Sequence, residues 1–196
     1  ARSVRAKFEA AHAAQPVWAS LPLRTRLAAI AQFRAKIAAQ SEGLARLLTA
    51  ETAKPITQAR NELQGLLPRL DFFLQETAHA LRPQTVWNDH KGEIRERIGW
   101  EPLGVVANVS AWNYLYYGGS NVFIPALLAG NAVLYKPSEF AAQTGLAIAR
   151  LLHGSGVPRD VFAPLIGTGD VGATLLRLPI DGVFFTGSYD TGRKIA

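Results

Sequence analysis

From Pro102 onward the chain repeats one pattern: a short apolar run, a loop, then a stretch with helical spacing. The runs are Val105–Val109, Ala132–Tyr135, Val161–Ile166 and Gly182–Phe185. Helical stretches are predicted near residues 117–129, 142–154, 171–177 and 189–196. Strand-length runs that alternate with helices point to right-handed βαβ units, which lay the strands parallel and cover both faces of the sheet. The expected fold class is therefore α/β, a doubly wound parallel sheet. Ligands of such a sheet gather at the carboxyl ends of its strands.

Upstream the period is helical. Leu27, Ile30, Phe33 or Arg34, and Ile37 recur at three- and four-residue steps, giving one apolar stripe through residues 21–41. Leu44, Leu47 and Leu48 extend it to about Ala50, where Glu51-Thr52-Ala53-Lys54-Pro55 interrupts. Pro55 suits the first turn of another helix, whose stripe is Ile56, Ala59, Leu63, Leu66, Leu67, Leu70, Phe73 and Leu74. Pro68 lies inside that stripe and is expected to kink or split it near Leu67.

Between these helices and the sheet, Ile94 and Ile98 alternate with Glu93, Arg95 and Arg97. The loop-like Asn88-Asp89-His90-Lys91-Gly92 precedes them, so residues 84–100 are predicted to form a hairpin with one apolar and one charged face. A hairpin outside the main sheet invites pairing with another chain. The expected organisation is a helical part at 1–83, the hairpin at 84–100 and a βαβ unit at 101–196.

Composition narrows the function. At 48% hydrophobic and 18% charged, the 196 residues have a globular mixture. No stretch approaches the ~20 apolar residues of a membrane span, and no charged segment followed by an apolar one opens the chain, so the cytoplasm is the expected location. The net charge of +6 comes from scattered residues such as Lys7, Arg24, Arg69 and Arg159, without the clustered footprint of a nucleic-acid binder. Cysteine is absent, which excludes disulfides, zinc–thiolate sites and a thiol nucleophile within these residues. His12, His79, His90 and His153 fall in separate segments, so no metal site is expected. The alanine at position 1 and the lack of methionine fit a processed or excised chain.

Candidate chemistry sits at the strand ends. Gly167-Thr168-Gly169-Asp170-Val171-Gly172 follows a predicted strand and opens a helix, as a dinucleotide pyrophosphate loop would, and Asp190 lies about twenty residues on. Such a loop should follow the first strand of the nucleotide fold, however, and here two strands precede it. Tyr135-Lys136-Pro137-Ser138-Glu139 places a cation, a hydroxyl and a carboxylate where they could bond ribose hydroxyls, or merely cap the next helix. Phe185-Thr186-Gly187-Ser188-Tyr189-Asp190-Thr191-Gly192 combines a glycine with a helix start suited to phosphate. Ser110-Ala111-Trp112-Asn113-Tyr114 offers an amide that could donate to an oxyanion or cap a loop.

Taken in order, these segments resemble the N-terminal, cofactor-binding portion of the NAD(P)-dependent aldehyde dehydrogenase superfamily. The matching landmarks are Glu101-Pro102-Leu103-Gly104-Val105-Val106, Trp112-Asn113, Pro125-Ala126-Leu127-Leu128-Ala129-Gly130-Asn131, Lys136-Pro137-Ser138-Glu139 and Phe185-Thr186-Gly187-Ser188. Glu51-Thr52-Ala53-Lys54-Pro55 resembles a family helix junction, with alanine where glycine is usual. The resemblance implies a Rossmann-like sheet of aldehyde dehydrogenase type and a hairpin that serves as an oligomerisation arm, hence a homo-dimer or homo-tetramer. It implies oxidation of an aldehyde by NAD, with NADP possible, through a cysteine thioester.

The resemblance also assigns roles. Asn113 matches the amide that supports the oxyanion, and Trp112, with Ser110, lies beside the cofactor. Lys136 and Glu139 match the residues that hold the adenine ribose, with Pro137 and Ser138 between them. Gly187 and Ser188 match the pyrophosphate contact, in a glycine motif that runs to Gly192, and Gly169 and Gly172 would lie near adenine. Tyr114, Tyr117 and Gly118 fall where the family lines its substrate tunnel and hint at a bulky or aromatic aldehyde. Three positions depart from the pattern: Ala111 and Leu115 stand where proline is usual, and Tyr189 where threonine is common. The family's cysteine and general-base glutamate lie beyond a Phe-Thr-Gly-Ser match, so these residues alone are expected to be inactive. A non-catalytic nucleotide-binding or assembly module is the alternative.

Overall fold

The computed structural model describes residues 3–89, 91 and 94–195. His90, Gly92 and Glu93 of the predicted hairpin therefore lie outside the described residues. Three long helices come first: α1 (Val4–Ser20), α2 (Leu23–Thr52) and α3 (Ile56–Ala80). The two apolar stripes at 21–41 and 44–50 belong to one helix, α2, which continues through the polar Gln40-Ser41-Glu42. Helix α3 buries Ala59, Leu63, Leu66, Leu70 and Phe73 at three- and four-residue spacing. Pro68 does not split it. Both Pro68 and Gln64, whose carbonyl the missing amide would have satisfied, face solvent, and there water can replace the lost bond.

Strands β1 (Gln84–Asn88) and β2 (Arg95–Ile98) form the predicted antiparallel hairpin, with a register shift between Thr85 and Trp87. Every residue of both strands is exposed, including Val86, Trp87 and Ile98, so none of the described residues buries either face of the hairpin.

The rest alternates as expected: β3 (Val105–Val109), α4 (Leu115–Leu128), β4 (Ala132–Lys136), α5 (Ala142–His153), β5 (Phe162–Pro164), α6 (Gly169–Leu176), β6 (Gly182–Phe185) and α7 (Tyr189–Ile195). The sheet is parallel in the order β5-β4-β3-β6. Strand residues alternate between two cores. Val106, Val133, Tyr135 and Phe162 pack with α2 to α5, while Val105, Ala107, Ala132, Leu134 and Ala163 pack with Phe8 and Ala11 of α1 and Leu175 of α6.

The entry edges of three strands are joined at Gly104. Its φ of +129° is a left-handed conformation, and a Cβ there would collide with the Asp181 carboxylate. That carboxylate accepts the Val105 amide at 2.8 Å, while Asp181 N donates back to Val105 O at 3.0 Å. Gly104 N donates to Asn131 Oδ1 at 3.0 Å, which brings the start of β4 into the same junction.

Candidate cofactor and active site

The chain runs outward from β3 through β4 to β5, then returns to place β6 on the other side of β3. Strand order reverses there, and a crevice forms beyond the carboxyl ends of β3 and β6, as at such a switch point. A cleft of about 920 Å³ opens at this point, within the range typical of cofactor sites. The backbone ladder continues past the strands to fix its floor. Ser110 N donates to Lys136 O at 3.0 Å, and Thr186 N donates to Val109 O at 2.9 Å.

Most sequence-predicted residues meet in this cleft. Ser110, Trp112 and Asn113 line it from the end of β3, Lys136, Ser138 and Glu139 from the end of β4. Gly169 and Gly172 approach from α6, and Gly187 and Ser188 from the end of β6. Pro137 and Gly192 support it from behind. A Cβ on Gly145 of α5 would come within 2.5 Å of Pro137, and a Cβ on Gly192 would sit 3.4 Å from the Phe185 ring. Tyr114, Tyr117 and Gly118 lie on the other side of the Asn113 turn, with Tyr114 exposed and Tyr117 partly buried.

The Lys136 side chain is 6% exposed, against 42% for Glu139, so the ammonium is held at the base while the carboxylate reaches the opening. Their charged atoms are 3.7 Å apart, and Lys136 Nζ also donates to Pro137 O at 3.2 Å. Ser138 spends its hydroxyl on the Phe140 amide at 3.3 Å, and Ser188 accepts the Thr191 amide at 3.3 Å. Both serines therefore cap turns at the cleft. The hydroxyl of Ser110 donates to Asn108 Oδ1 at 2.9 Å, and Asn108 Nδ2 in turn donates to Gly119 O at 3.0 Å. That pair ties the end of β3 to α4.

The glycine-rich stretch 167–172 has a different part from the one its pattern suggests. It follows β5, an edge strand, whereas a dinucleotide loop of the simple kind follows the first strand. Gly167, with φ +153°, makes the turn, and Val171 occupies the space a Cβ would need. At Gly172 a Cβ would lie 3.4 Å from Lys136 Cδ, so α6 packs over the lysine stem at ordinary contact distance.

One contribution has no counterpart among the sequence-predicted residues. Lys54 and Glu62 form a buried ion pair beneath the Asn113 turn, with side chains 8% and 0% exposed. Lys54 Nζ donates to Asn113 O at 2.7 Å and stands 4.0 Å from the centre of the Tyr114 ring. Glu62 Oε1 accepts the amides of Tyr116 at 2.8 Å and Tyr117 at 3.1 Å, at the start of α4. Burial raises the Tyr116 phenol above its ordinary pKa, so it remains a neutral donor, to Leu44 O at 3.2 Å. Among the described residues no cluster of three or more His, Asp or Glu could hold a metal ion. No helix is long and apolar enough to cross a membrane, among the same residues.

Residues 1–196 match the aldehyde dehydrogenase family along their whole length. The chain belongs to the aldehyde dehydrogenase family. Within it, the chain is 36% identical over 196 residues to a Mycolicibacterium smegmatis protein named provisionally as an NADP(+) succinate-semialdehyde dehydrogenase. It is 34% identical over 190 residues to the N-succinylglutamate 5-semialdehyde dehydrogenase of Sphingopyxis alaskensis. The chain spans 38% and 39% of these two aldehyde dehydrogenases. The NAD-dependent aldehyde dehydrogenase of Sinorhizobium meliloti superimposes on 98% of the chain with a TM-score of 0.91 and 31% identity, again over 39% of its own length. The fold is thus the aldehyde dehydrogenase fold, over the N-terminal portion that carries the cleft.

Proposed function

We propose that this chain is the cofactor-binding and oxyanion-supporting part of an enzyme that oxidises an aldehyde to a carboxylic acid. The observation that carries the reading is the cleft, in a chain of this family, where Asn113, Lys136, Glu139, Gly187 and Ser188 converge. Its volume and its polar rim over apolar walls fit a nicotinamide dinucleotide. When bound, that cofactor accepts the hydride that leaves the aldehyde carbon.

The chain's own residues bind and orient. Lys136 and Glu139 offer a donor and an acceptor to ribose hydroxyls, and the carboxylate at the opening disfavours a 2′-phosphate, which argues for NAD over NADP. Gly187 and Ser188 present backbone amides to the pyrophosphate, while Gly169 and Gly172 flank the adenine end. Trp112 walls the cleft beside the nicotinamide end. The Asn113 amide donates to the oxygen that becomes negative as a thiolate adds to the aldehyde. The thiolate comes from outside these residues, since the chain holds no cysteine, and the family resemblance puts the general-base glutamate outside them as well. Tyr114, Tyr117 and Gly118 face the substrate side and suit a bulky or aromatic aldehyde. The exposed hairpin, with Val86, Trp87 and Ile98, serves as the arm through which copies assemble as dimers or tetramers.

Aldehyde-dependent NADH formation separates this from a non-catalytic module. The protein that carries this chain together with its cysteine should form NADH with an aldehyde, and Lys136→Ala should weaken NAD at least ~10-fold. Aldehyde-dependent NADH formation by the 196 residues alone would overturn the assignment of roles, and equal or tighter binding of NADP would overturn the NAD preference.

A further inference from the structure

We propose that Lys54, from the junction between α2 and α3, and Glu62, from the second turn of α3, are positioning residues that set the angle of the Asn113 amide. The inference rests on the reading of Asn113 as the oxyanion donor. Helix α4 starts without a side-chain cap of its own, since its N-cap residue, Tyr114, makes none. Two amides of its first turn, those of Tyr116 and Tyr117, go to one oxygen of Glu62. A carboxylate that is fully buried needs a partner charge, and Lys54 supplies it through the other oxygen. The same ammonium then spends a second proton on Asn113 O and sits against the Tyr114 ring.

The contacts these two side chains make beyond their own ion pair therefore fall on residues 113–117, on both sides of the turn that presents the Asn113 side chain. The turn itself carries no proline, since Ala111 precedes Trp112-Asn113-Tyr114 and Leu115, the first residue of α4, follows it, so no ring fixes its φ angles. External restraint by Lys54 and Glu62 takes the place of a rigid turn. A reacting oxygen is sensitive to such placement, since an error of ~1 Å in a catalytic group can cost ~100-fold in rate.

The test uses the polypeptide that carries these residues together with its cysteine. Lys54→Met combined with Glu62→Gln removes both charges, keeps an oxygen for the Tyr116 and Tyr117 amides, and deletes the donor to Asn113 O. Expected is a fall in kcat of ~10- to 100-fold, with KM and the affinity for NAD, measured by isothermal titration, changed less than ~2-fold. In an Asn113→Ala background the same double change should cost less than ~2-fold, because a donor that is gone cannot be misplaced. Should the double variant fail to fold, Lys54→Arg, which keeps the ion pair with Glu62 but displaces the donor to Asn113 O, carries the same comparison with a smaller loss. An unchanged kcat, or an equal loss with and without Asn113, overturns the positioning role. If Asn113→Ala itself leaves kcat within ~2-fold of the parent, the oxyanion reading fails instead, and this inference with it.

Discussion

One carboxylate oxygen of Glu51 accepts both the amide and the hydroxyl of Thr144, each at 2.6 Å, across 93 residues of sequence. Its other oxygen accepts the Gln143 amide at 2.7 Å. Helix α5 has no side-chain cap from its own N-cap residue, so Glu51 caps it from the end of α2 and opposes its dipole with a negative charge. Glu51→Ala should cost about 2 kcal/mol, read as a lowered urea midpoint at unchanged m-value, and Glu51→Gln less. Equal stability for parent and alanine variant would remove this cap from the account.

Arg26 has the opposite task. Its guanidinium is buried and donates to Leu128 O at 3.0 Å, Ala19 O at 2.9 Å and Leu21 O at 2.6 Å, the carbonyls left over where α4 and α1 end. An ammonium cannot reach these diverging acceptors with a fixed fork. Arg26→Lys should therefore destabilise by about 2 kcal/mol and Arg26→Met by about 3 kcal/mol, measured by chemical denaturation. A lysine variant as stable as the parent would show that charge alone suffices.

Burial lowers the pKa of His153 below its ordinary value of 6.5, and Arg159 acts in the same direction against Asp160 and the bond to Phe162 O. The unfolded chain therefore takes up a proton at higher pH than the folded one. Stability contributed by the neutral ring is complete above 6.5 and declines as pH falls from there toward the folded value. Urea midpoints should drop between pH ~7.5 and ~5.5, and His153→Gln should flatten that slope. An identical slope in the variant assigns the dependence to other groups.

Gly172 tests the closure of α6 over Lys136. The Cβ of alanine would meet the lysine stem at 3.4 Å, an ordinary contact, so Gly172→Ala should bind NAD within a few-fold of the parent. The branched side chain of Gly172→Val needs room the stem occupies, and should weaken NAD ~10-fold or more by isothermal titration. Equal affinity for both variants would mean that Lys136 does not hold the cofactor.

The strand ends are legible because buried parallel strands read as apolar runs and their polar termini stand out against them. Lys136, Glu139, Gly187 and Ser188 are thus visible in the sequence alone, and the fold gathers them around one cleft. Helix α1 carries no such signal. Its buried residues Phe8, Ala11 and Trp18 are too sparse for a stripe, and Pro16 lies inside it. The partnership of Lys54 with Asn113 spans 59 residues and leaves no local signal beyond a lysine before a proline. Ala53 hides a further cost: at φ 55° it caps α2 in the left-handed conformation that glycine adopts freely. The apolar side chains expected on the hairpin, Val86, Trp87, Ile94 and Ile98, are exposed, and none of the described residues buries them.

The junction of Gly104 with Asp181 ties two positions in one direction only. Residue 104 is glycine for two independent reasons, its φ of +129° and the carboxylate that fills its missing side chain. Asp181 has one reason, the amide of Val105. A lineage can therefore lose Asp181 while Gly104 persists, because the backbone still demands it. Replacement of Gly104 first would expel the carboxylate and unmake the joint between two strands at once. Among descendants of one ancestor, variation at 181 should be common where variation at 104 is rare, and change at 104 should arrive only after 181 has already moved.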